Sequence, residues 1–192
     1  MRAAKEIPQG QNAYEWIRAL LGVAVSVILV FTFAVRIVSV SGESMRETLQ
    51  DGDRLLVVNA LWCGDYRPGD IVIVGQAFSN QETIVKRVVA TAGQTVDIDF
   101  ETGSVYVDGV ELDEPYIRER TYTPEGTEFP LTVPEGCVFV LGDNRNDSKD
   151  SRHIELGAVD TRKILGKAVW LLIPGKTAEL DRRELSRIGS LN

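Results

Sequence analysis

Hydrophobic residues in this chain follow two patterns, one long unbroken run near the start and many short alternating runs after it. The first pattern is Ala19–Val35, seventeen residues without a charge between Arg18 and Arg36. A membrane-spanning helix needs roughly 20 mostly apolar residues, within a range of about 17 to 25. The pattern therefore predicts a transmembrane anchor over residues 19–36, preceded by a short segment of residues 1–18.

Two other interpretations of the apolar run stay open. A cleaved secretory signal peptide has an apolar stretch of about 7 to 15 residues before a small-x-small site. Ser39-Val40-Ser41 fits such a site, but cleavage there would leave Ser44 beside a new terminus. A buried core helix that is apolar all round is unusual in so small a domain. The retained anchor is favoured, and basic residues balance three against three around it, which leaves its orientation open.

Beyond residue 36, short apolar runs alternate with turn-forming residues, which predicts β-strands. Asp108-Gly109 between Val107 and Val110 supplies the positive φ values of a two-residue hairpin turn. We expect a mainly β domain of curled antiparallel sheets over residues 37–192. The predicted strands are Arg36–Ser41, Arg54–Val58, Asp70–Val74, Thr83–Thr91, Gln94–Asp99, Ser104–Val107, Val110–Leu112, Leu131–Val133, Val138–Leu141 and Ile164–Leu172.

Composition and charge exclude several classes of protein. With 192 residues, 44% of them hydrophobic, the chain can build one domain with a core besides the anchor. Past Arg36 it has 17 basic and 26 acidic residues, about −9 in net charge, which argues against a nucleic-acid partner. The single histidine, His153, excludes a histidine-rich zinc site. Cys63 and Cys137 lack ligand spacing; free buried thiols are favoured over a disulfide.

The stretch "SGESMRETL", residues 41–49, follows the apolar run almost at once. A serine in a loop usually has no special role, but Gly42 before Ser44 lets the backbone approach closely. A serine nucleophile needs a base, because its hydroxyl is weakly acidic. The candidates are His153 and a lysine held neutral.

Lys86 is the lysine that fits this requirement. In "TIVKRVVAT", residues 83–91, side chains alternate between two faces, so branched apolar Ile84 and Val88 flank Lys86. Removal from water disfavours the ammonium and lowers the pKa of a lysine, as a general base near neutral pH requires. An edge-strand lysine that discourages aggregation is the commoner explanation of an isolated lysine in a strand. Both stay open on the residues alone.

A polar loop follows the apolar run "CVFVL". This stretch, "GDNRNDSKDSR", spans residues 142–152. As plain structure it is a connector rich in turn formers. Asp150 and Arg152 have opposite charges that can fix its shape, and a hydroxyl within it can orient a lysine.

Together these stretches resemble the bacterial type I signal peptidases. "GESMRETL", "IVKRVVATAGQTV" and "LGDNRNDSKDSR" are similar to the serine, lysine and glycine-aspartate-asparagine-arginine boxes of that family, in the same order and after a single anchor. "DGDRLLVVN" and "RPGDIVIV" resemble its connecting strands. The similarity covers about Ile37 to Pro174, and the single anchor with a compact domain resembles the Gram-positive form.

The resemblance implies roles for individual residues. Ser44 would be the nucleophile, Lys86 the general base, and Ser148 the hydroxyl that hydrogen-bonds and orients the lysine amine. It further implies a structural ion pair and a loop shaped behind the dyad by polar residues, namely Asp150 with Arg152, and Asp143, Asn144 and Arg145.

Oxyanion binding and one turn residue depart from the family pattern. The resemblance implies the Ser44 backbone N–H as one oxyanion donor. Some members add a hydroxyl two positions before the nucleophile; Gly42 stands there, so the second donor stays open. The family's proline three residues after the nucleophile is Glu47 here. We expect the loss of a pre-set φ to cost about 0.4–1 kcal/mol of stability.

The implied activity is that of a membrane-bound serine endopeptidase. It would remove N-terminal signal peptides from exported preproteins through an acyl-enzyme, with no metal or cofactor. Its partners would be the lipid bilayer and preproteins with small residues at −1 and −3. The resemblance places residues 1–18 in the cytoplasm and the catalytic domain of a single-pass membrane protein on the extracytoplasmic side.

Three rival hypotheses remain. A serine-lysine peptidase that cleaves itself would need no anchor. A peptidase with His153 as base would keep activity without Lys86. A membrane-tethered β binding module would show no turnover at all, which a comparison with Ser44→Ala would reveal.

Overall fold

The computed structural model describes residues 9–176 and 183–191, and the chain divides into two compact units, Met1–Val35 and Arg36–Asn192. The first unit contains helix α1, Gln9–Phe33. Within it, Ala13–Phe33 has a mean hydropathy of 2.2 and is long and apolar enough to cross a membrane. None of its residues is buried, which disfavours the core-helix interpretation.

Helix α1 does not coincide with residues 19–36, the range predicted for the transmembrane anchor. Helix α1 begins at Gln9 rather than at residue 19, because Glu15 and Arg18 are good helix formers and a helix needs no apolar side chain to continue. It ends at Phe33, and Val35 with Arg36 already belongs to a strand, where β-branched residues are favoured. Residues 1–8 of the predicted N-terminal segment lie outside the described residues.

The second unit is mainly β, as predicted, with a curled antiparallel half-barrel sheet. Each of the ten predicted strands is confirmed within two residues at either end. Two strands were missed because each has only two residues and shows no alternation: β10 and β12. The strands are β1 Val35–Ser39, β2 Arg54–Asn59, β3 Ile71–Val74, β4 Ile84–Thr91, β5 Thr95–Asp99, β6 Ser104–Val107, β7 Val110–Glu111, β8 Leu131–Thr132, β9 Cys137–Leu141, β10 Val159–Asp160, β11 Ile164–Ile173 and β12 Gly189–Ser190.

The strands form two sheets. The larger has the order β1-β2-β11-β3-β4-β9-β10, with β12 beside β11, and the smaller has the order β7-β6-β5-β8. Apolar side chains form three buried clusters, one of which lies under the turn after β1 and includes Met45 and Leu49. A second packs around Phe139 and a third around Val72 and Val140.

Strand register brings the lysine strand to the polar loop. In β4, Lys86 pairs with Val72 of β3, and Arg87 pairs with Leu141 of β9. Leu141 is the last residue of β9, so the loop that begins at Gly142 leaves the sheet next to Lys86. Antiparallel pairing therefore places two of the three candidate stretches side by side.

Candidate active site

The turn that carries Ser44 is fastened to the core by its apolar residues. Met45 and Leu49 are spaced i, i+4 and are both buried, and the Leu49 N–H donates to the Met45 carbonyl at 2.8 Å. At the base of the turn, the Val40 N–H donates to the Asp53 carbonyl at 2.8 Å. Ser44, half-buried, is thus held on a short turn that the core positions.

Glu47 occupies an unusual backbone conformation. Its φ is +84°, a region that L-residues other than glycine rarely adopt. Proline is locked near −65°, so it cannot take this conformation. The expectation that the missing proline costs stability was therefore wrong for this turn, because the turn has a different shape.

The amine of Lys86 lies against the hydroxyl of Ser44. Lys86 Nζ donates to Ser44 Oγ at 2.6 Å and to the Val85 carbonyl at 3.0 Å. The side chain is only 2% exposed, so the ammonium would lose nearly all its hydration. Burial lowers the pKa of Lys86 to about 8; Asp150, Asp143 and Glu125 act in the opposite direction, while Arg152 lowers it further.

The loop after β9 holds the carbonyl side of the Ser44 turn. The Asn144 N–H donates to the Ser44 carbonyl at 3.0 Å, and its Nδ2 donates to the Glu43 carbonyl at 3.1 Å. A Cβ on Gly142 would lie 2.5 Å from the Ser44 carbonyl oxygen and 2.1 Å from Ser148 Oγ. Only glycine allows the loop to approach this closely.

Asp150 and Arg152 form the predicted ion pair. Both side chains are fully buried, and Arg152 Nε and Nη2 each donate at 2.8 Å to one oxygen of Asp150. Asp150 also accepts from the Gly142 N–H at 2.9 Å. The pair therefore fixes both ends of the loop, and further Arg152 bonds reach loop carbonyls, including that of Ser148 at 3.2 Å.

The predicted bond between Ser148 and Lys86 is absent from the hydrogen bonds of the described residues. Ser148 Oγ donates to Asp150 Oδ2, two residues along the same loop, at 3.0 Å. Ser148 is buried and touches the Gly142 backbone that packs on Ser44. Ser148 is thus linked to the rest of the loop through Asp150.

Asp143 binds a residue whose role sequence reasoning missed. Arg87 donates to both oxygens of Asp143, at 2.9 and 2.7 Å, and Asp143 also accepts from the hydroxyl of Thr48. Arg87 is adjacent to Lys86, and its alternation to the opposite face was the available signal. The cluster ties the lysine strand, the polar loop and the serine turn together.

Arg145 anchors the outer part of the loop. Its guanidinium is fully buried and donates to Glu114 at 2.9 Å and to Thr121 Oγ1 at 3.0 Å. Its Nε donates to the Gly142 carbonyl at 3.0 Å. Asp143, Asn144 and Arg145 therefore each fasten the loop to a different partner. No periodicity in the sequence indicates Glu114.

The backbone N–H of Ser44 has no acceptor in the part of the chain that the structure describes. Within the described residues the Ser44 N–H makes no hydrogen bond, whereas the Gly42 N–H donates to Asp51 Oδ1 at 2.9 Å. Gly42, which has a φ of +92°, stands where some family members have a hydroxyl, and it has no side chain that could serve as a second oxyanion donor. The Ser44 N–H is thus free for an oxyanion, and Gly42 is already engaged.

Groups for other kinds of chemistry are not assembled here. His153 Nδ1 accepts from the Glu155 N–H at 3.3 Å, and its ring packs edge-on against Phe78 at 5.6 Å. Cys63 and Cys137 are free thiols, as favoured from the sequence, but both are half-buried rather than buried. Among the described residues, no three histidine, cysteine or acidic side chains cluster as metal ligands do. What the site offers is a serine hydroxyl beside a buried amine.

Comparisons with known proteins agree on one family. The model of the family "Signal peptidase, peptidase S26" matches residues 13–173. Signal peptidase I of Bacillus licheniformis is 34% identical over 182 residues, which cover 91% of this chain and 96% of that protein. Signal peptidase I of Bacillus caldolyticus is 36% identical over 176 residues, covering 85% and 91%.

Two further signal peptidases are similar to this chain. Signal peptidase I T of Bacillus subtilis is 34% identical over 172 residues, covering 85% of this chain and 87% of that protein. The crystal structure of a signal peptidase I from Enterococcus faecalis is 32% identical, with a TM-score of 0.46, and covers 55% of this chain and 97% of that one.

Proposed function

The chain belongs to the signal peptidase family, peptidase S26, and from this membership we propose that Ser44 and Lys86 form its catalytic dyad. It is a serine peptidase of the signal peptidase I class, which removes signal peptides from secretory preproteins. The proposal concerns how this chain performs that hydrolysis. Its main support is the 2.6 Å contact between the buried Lys86 amine and Ser44 Oγ.

Acylation begins with the neutral form of Lys86. As Ser44 Oγ attacks the scissile carbonyl carbon, its proton passes to Lys86 Nζ, and the carbonyl oxygen becomes an oxyanion. The Ser44 N–H donates to that oxyanion. The C–N bond then breaks, the leaving amine takes the proton from Lys86, and the signal peptide stays on Ser44 as an ester.

Deacylation repeats these steps with water. Lys86, neutral again, accepts a proton from a water molecule that attacks the ester carbonyl. When the tetrahedral intermediate collapses, Ser44 Oγ leaves and recovers the proton from Lys86. A serine-lysine pair is a known variant of the catalytic triad and needs no metal or organic cofactor.

Burial explains why a lysine can act as the base. A pKa of about 8 leaves a useful fraction of the amine neutral near neutral pH, whereas an exposed lysine near 10.4 is almost fully protonated. His153 is engaged with Glu155 and Phe78, so geometry favours Lys86 over the histidine. The acyl-enzyme and the base are therefore assigned to Ser44 and Lys86.

We infer that the substrate binds in an extended form, as an added strand, with small side chains at −1 and −3 in shallow pockets.

Helix α1 is compatible with a single membrane span. Cleavage sites of exported preproteins emerge outside the cytoplasm, so we place the catalytic unit on the extracytoplasmic side of the cell membrane.

Processing of a preprotein in detergent tests the proposal. Ser44→Ala and Lys86→Ala should each lower turnover to below about a thousandth of wild type while the protein still folds. His153→Gln, the matched control for the rival base, should retain turnover. The cleaved N-terminus is read by mass spectrometry. Substantial turnover by Lys86→Ala, or its loss in His153→Gln, would assign the base elsewhere.

The short chain from anchor to serine adds a second arm to this experiment. Ser44 is eight residues beyond Arg36, and an extended chain covers at most about 3.3–3.6 Å per residue, so the nucleophile lies within roughly 29 Å of that residue along the chain. We propose that this length keeps the nucleophile near the membrane surface. Removing residues 1–36 should spare cleavage of a short soluble peptide but reduce processing of a membrane-inserted preprotein. Equal processing would contradict it.

A further inference from the structure

The segment Glu125–Thr127, which the mechanism does not use, runs beside the end of the active-site loop. The Thr127 N–H donates to the Arg152 carbonyl at 2.9 Å, and the Ile154 N–H donates to the Glu125 carbonyl at 3.2 Å. These bonds pair the segment with the end of the loop 142–152. Glu125 is therefore held beside the part of the loop that supports the dyad.

The carboxylate of Glu125 is incompletely satisfied. Its Oε2 is buried and has no hydrogen-bond partner within the described part of the chain. Burial raises the pKa of Glu125, and the Asp150 charge adds to this; Arg152, a backbone hydrogen bond from Asp150, and His153 lower it. Because nearly all buried polar atoms in native proteins have a partner, the Oε2 atom of Glu125 calls for an explanation.

The charges around Lys86 differ in whether an arginine neutralises them. Those that act on its amine are Asp150, Asp143, Glu125 and Arg152. Asp150 is bound by both nitrogens of Arg152, and Asp143 is bound in the same way by Arg87. Glu125 forms no ion pair with any described residue, so its charge is not cancelled by a contacting cation.

We propose that Glu125 is a positioning residue for the dyad, an unpaired counter-charge that stabilises the protonated Lys86 formed during catalysis and sets the pH range in which Lys86 acts. The idea rests on the proposed function, because it requires Lys86 to be the base. A negative charge in a water-poor site favours an ammonium nearby. Without Glu125, Lys86 would lose its proton more readily and would be a weaker base.

The test is the pH profile of kcat/KM for the full chain in detergent, with a peptide substrate that has alanine at −1 and −3. In wild type the rate should rise with pH as Lys86 becomes neutral. Glu125→Gln should move the midpoint of that rise to lower pH by about half a unit or more. It should also lower the plateau rate, because a weaker base accepts the serine proton less well.

Three further variants keep the test decisive. Glu128→Gln removes an exposed carboxylate three residues away and should leave the midpoint unchanged. Glu125→Met removes the charge without burying an amide and should shift the midpoint as Glu125→Gln does. Glu125→Asp keeps the charge one methylene further away, and its midpoint should fall between wild type and Glu125→Gln even if the neutral variants fold poorly.

The outcomes separate this inference from the dyad itself. Midpoints that coincide in wild type and the folded Glu125 variants, or that move upward, would overturn the role of Glu125, as would an equal shift in Glu128→Gln. Lys86→Ala, measured in the same assay, reports on the dyad independently. Turnover without Lys86 would refute the proposed function, whereas an inactive Lys86→Ala with coincident midpoints refutes only the role of Glu125.

Discussion

Two aspartate-x-arginine sequences lie ten residues apart in this chain and form the same contact in opposite surroundings. In the active-site loop, Asp150 and Arg152 are both fully buried, whereas Asp160 and Arg162 leave 30% and 89% of their side chains exposed. Each arginine uses two nitrogens to bind both carboxylate oxygens. The local geometry is alike, and the environment differs.

Burial gives the first pair consequences that the second lacks. A surface ion pair exchanges good contacts with water for a similar contact with its partner, so it adds little stability. Water does not reach a buried pair, so removing one member leaves a charge in the interior that nothing solvates or neutralises. The comparison shows that position in the fold, rather than the motif, decides what an ion pair does.

The largest effect on stability should come from removing one member of the buried pair. Asp150→Ala should lower the free energy of unfolding by about 3–5 kcal/mol, because Arg152 is left charged and buried. Asp160→Ala, the matched surface control, should leave urea denaturation almost unchanged. If Asp150→Ala kept full stability yet lost all turnover, Asp150 would need a direct catalytic role, and burial would not explain the difference between the two pairs.

A smaller effect is expected where a hydroxyl donates to a carboxylate. Ser148→Ala should cost about 1–3 kcal/mol in unfolding free energy, because a buried bond to the Asp150 charge is lost. Turnover should fall by less than in Lys86→Ala, since Ser148 makes no bond to the amine. Ser186→Ala removes an exposed hydroxyl that donates to Glu184 and should change neither quantity. Equal losses of stability in the two variants would remove burial as the explanation.

The smallest effect concerns the backbone of the serine turn. Glu47→Gly should stabilise the fold by about 1 kcal/mol or less, because glycine accepts a φ of +84° without strain. Glu47→Pro should destabilise it, since proline is locked at negative φ. Glu82→Gly, at an exposed glutamate without positive φ, is the control and should not stabilise. Thermal unfolding measures all three, and a stabilising Glu47→Pro would contradict the observed turn.

The strands could be predicted from sequence because alternation is a local property. Most predicted strands are long enough to show which face is apolar, and the two-residue strands β7 and β8 lie in three-residue runs that alternate apolar, polar, apolar. The two-residue strands β10 and β12 have no such run. The apolar run predicted a helix near residues 19–36, but not where that helix begins, because polar residues such as Glu15 continue a helix equally well.

The site was predictable only in part. Ser44, Lys86 and the polar loop were found by resemblance to a family, and the Asp150–Arg152 pair followed from opposite charges two residues apart. The partners of Asp143 and Arg145 come from distant segments, Arg87 and Glu114, which no spacing in the chain indicates. The bond predicted between Ser148 and Lys86 is not among those of the described residues, where Ser148 donates to Asp150, a partner that no spacing in the sequence indicates.

The pH dependence of acylation, measured by rapid-quench trapping of the ester on Ser44 in a single turnover, tests most directly whether Lys86 is the base. Below its pKa, Lys86 is protonated and cannot accept the serine proton; above it, the amine is neutral and can. Acylation should rise with pH through a midpoint near 8 and should be absent in Lys86→Arg, whose guanidinium stays charged. Rapid acylation in Lys86→Arg would contradict this assignment. So would a midpoint near the pKa of an ordinary histidine, together with loss of acylation in His153→Gln.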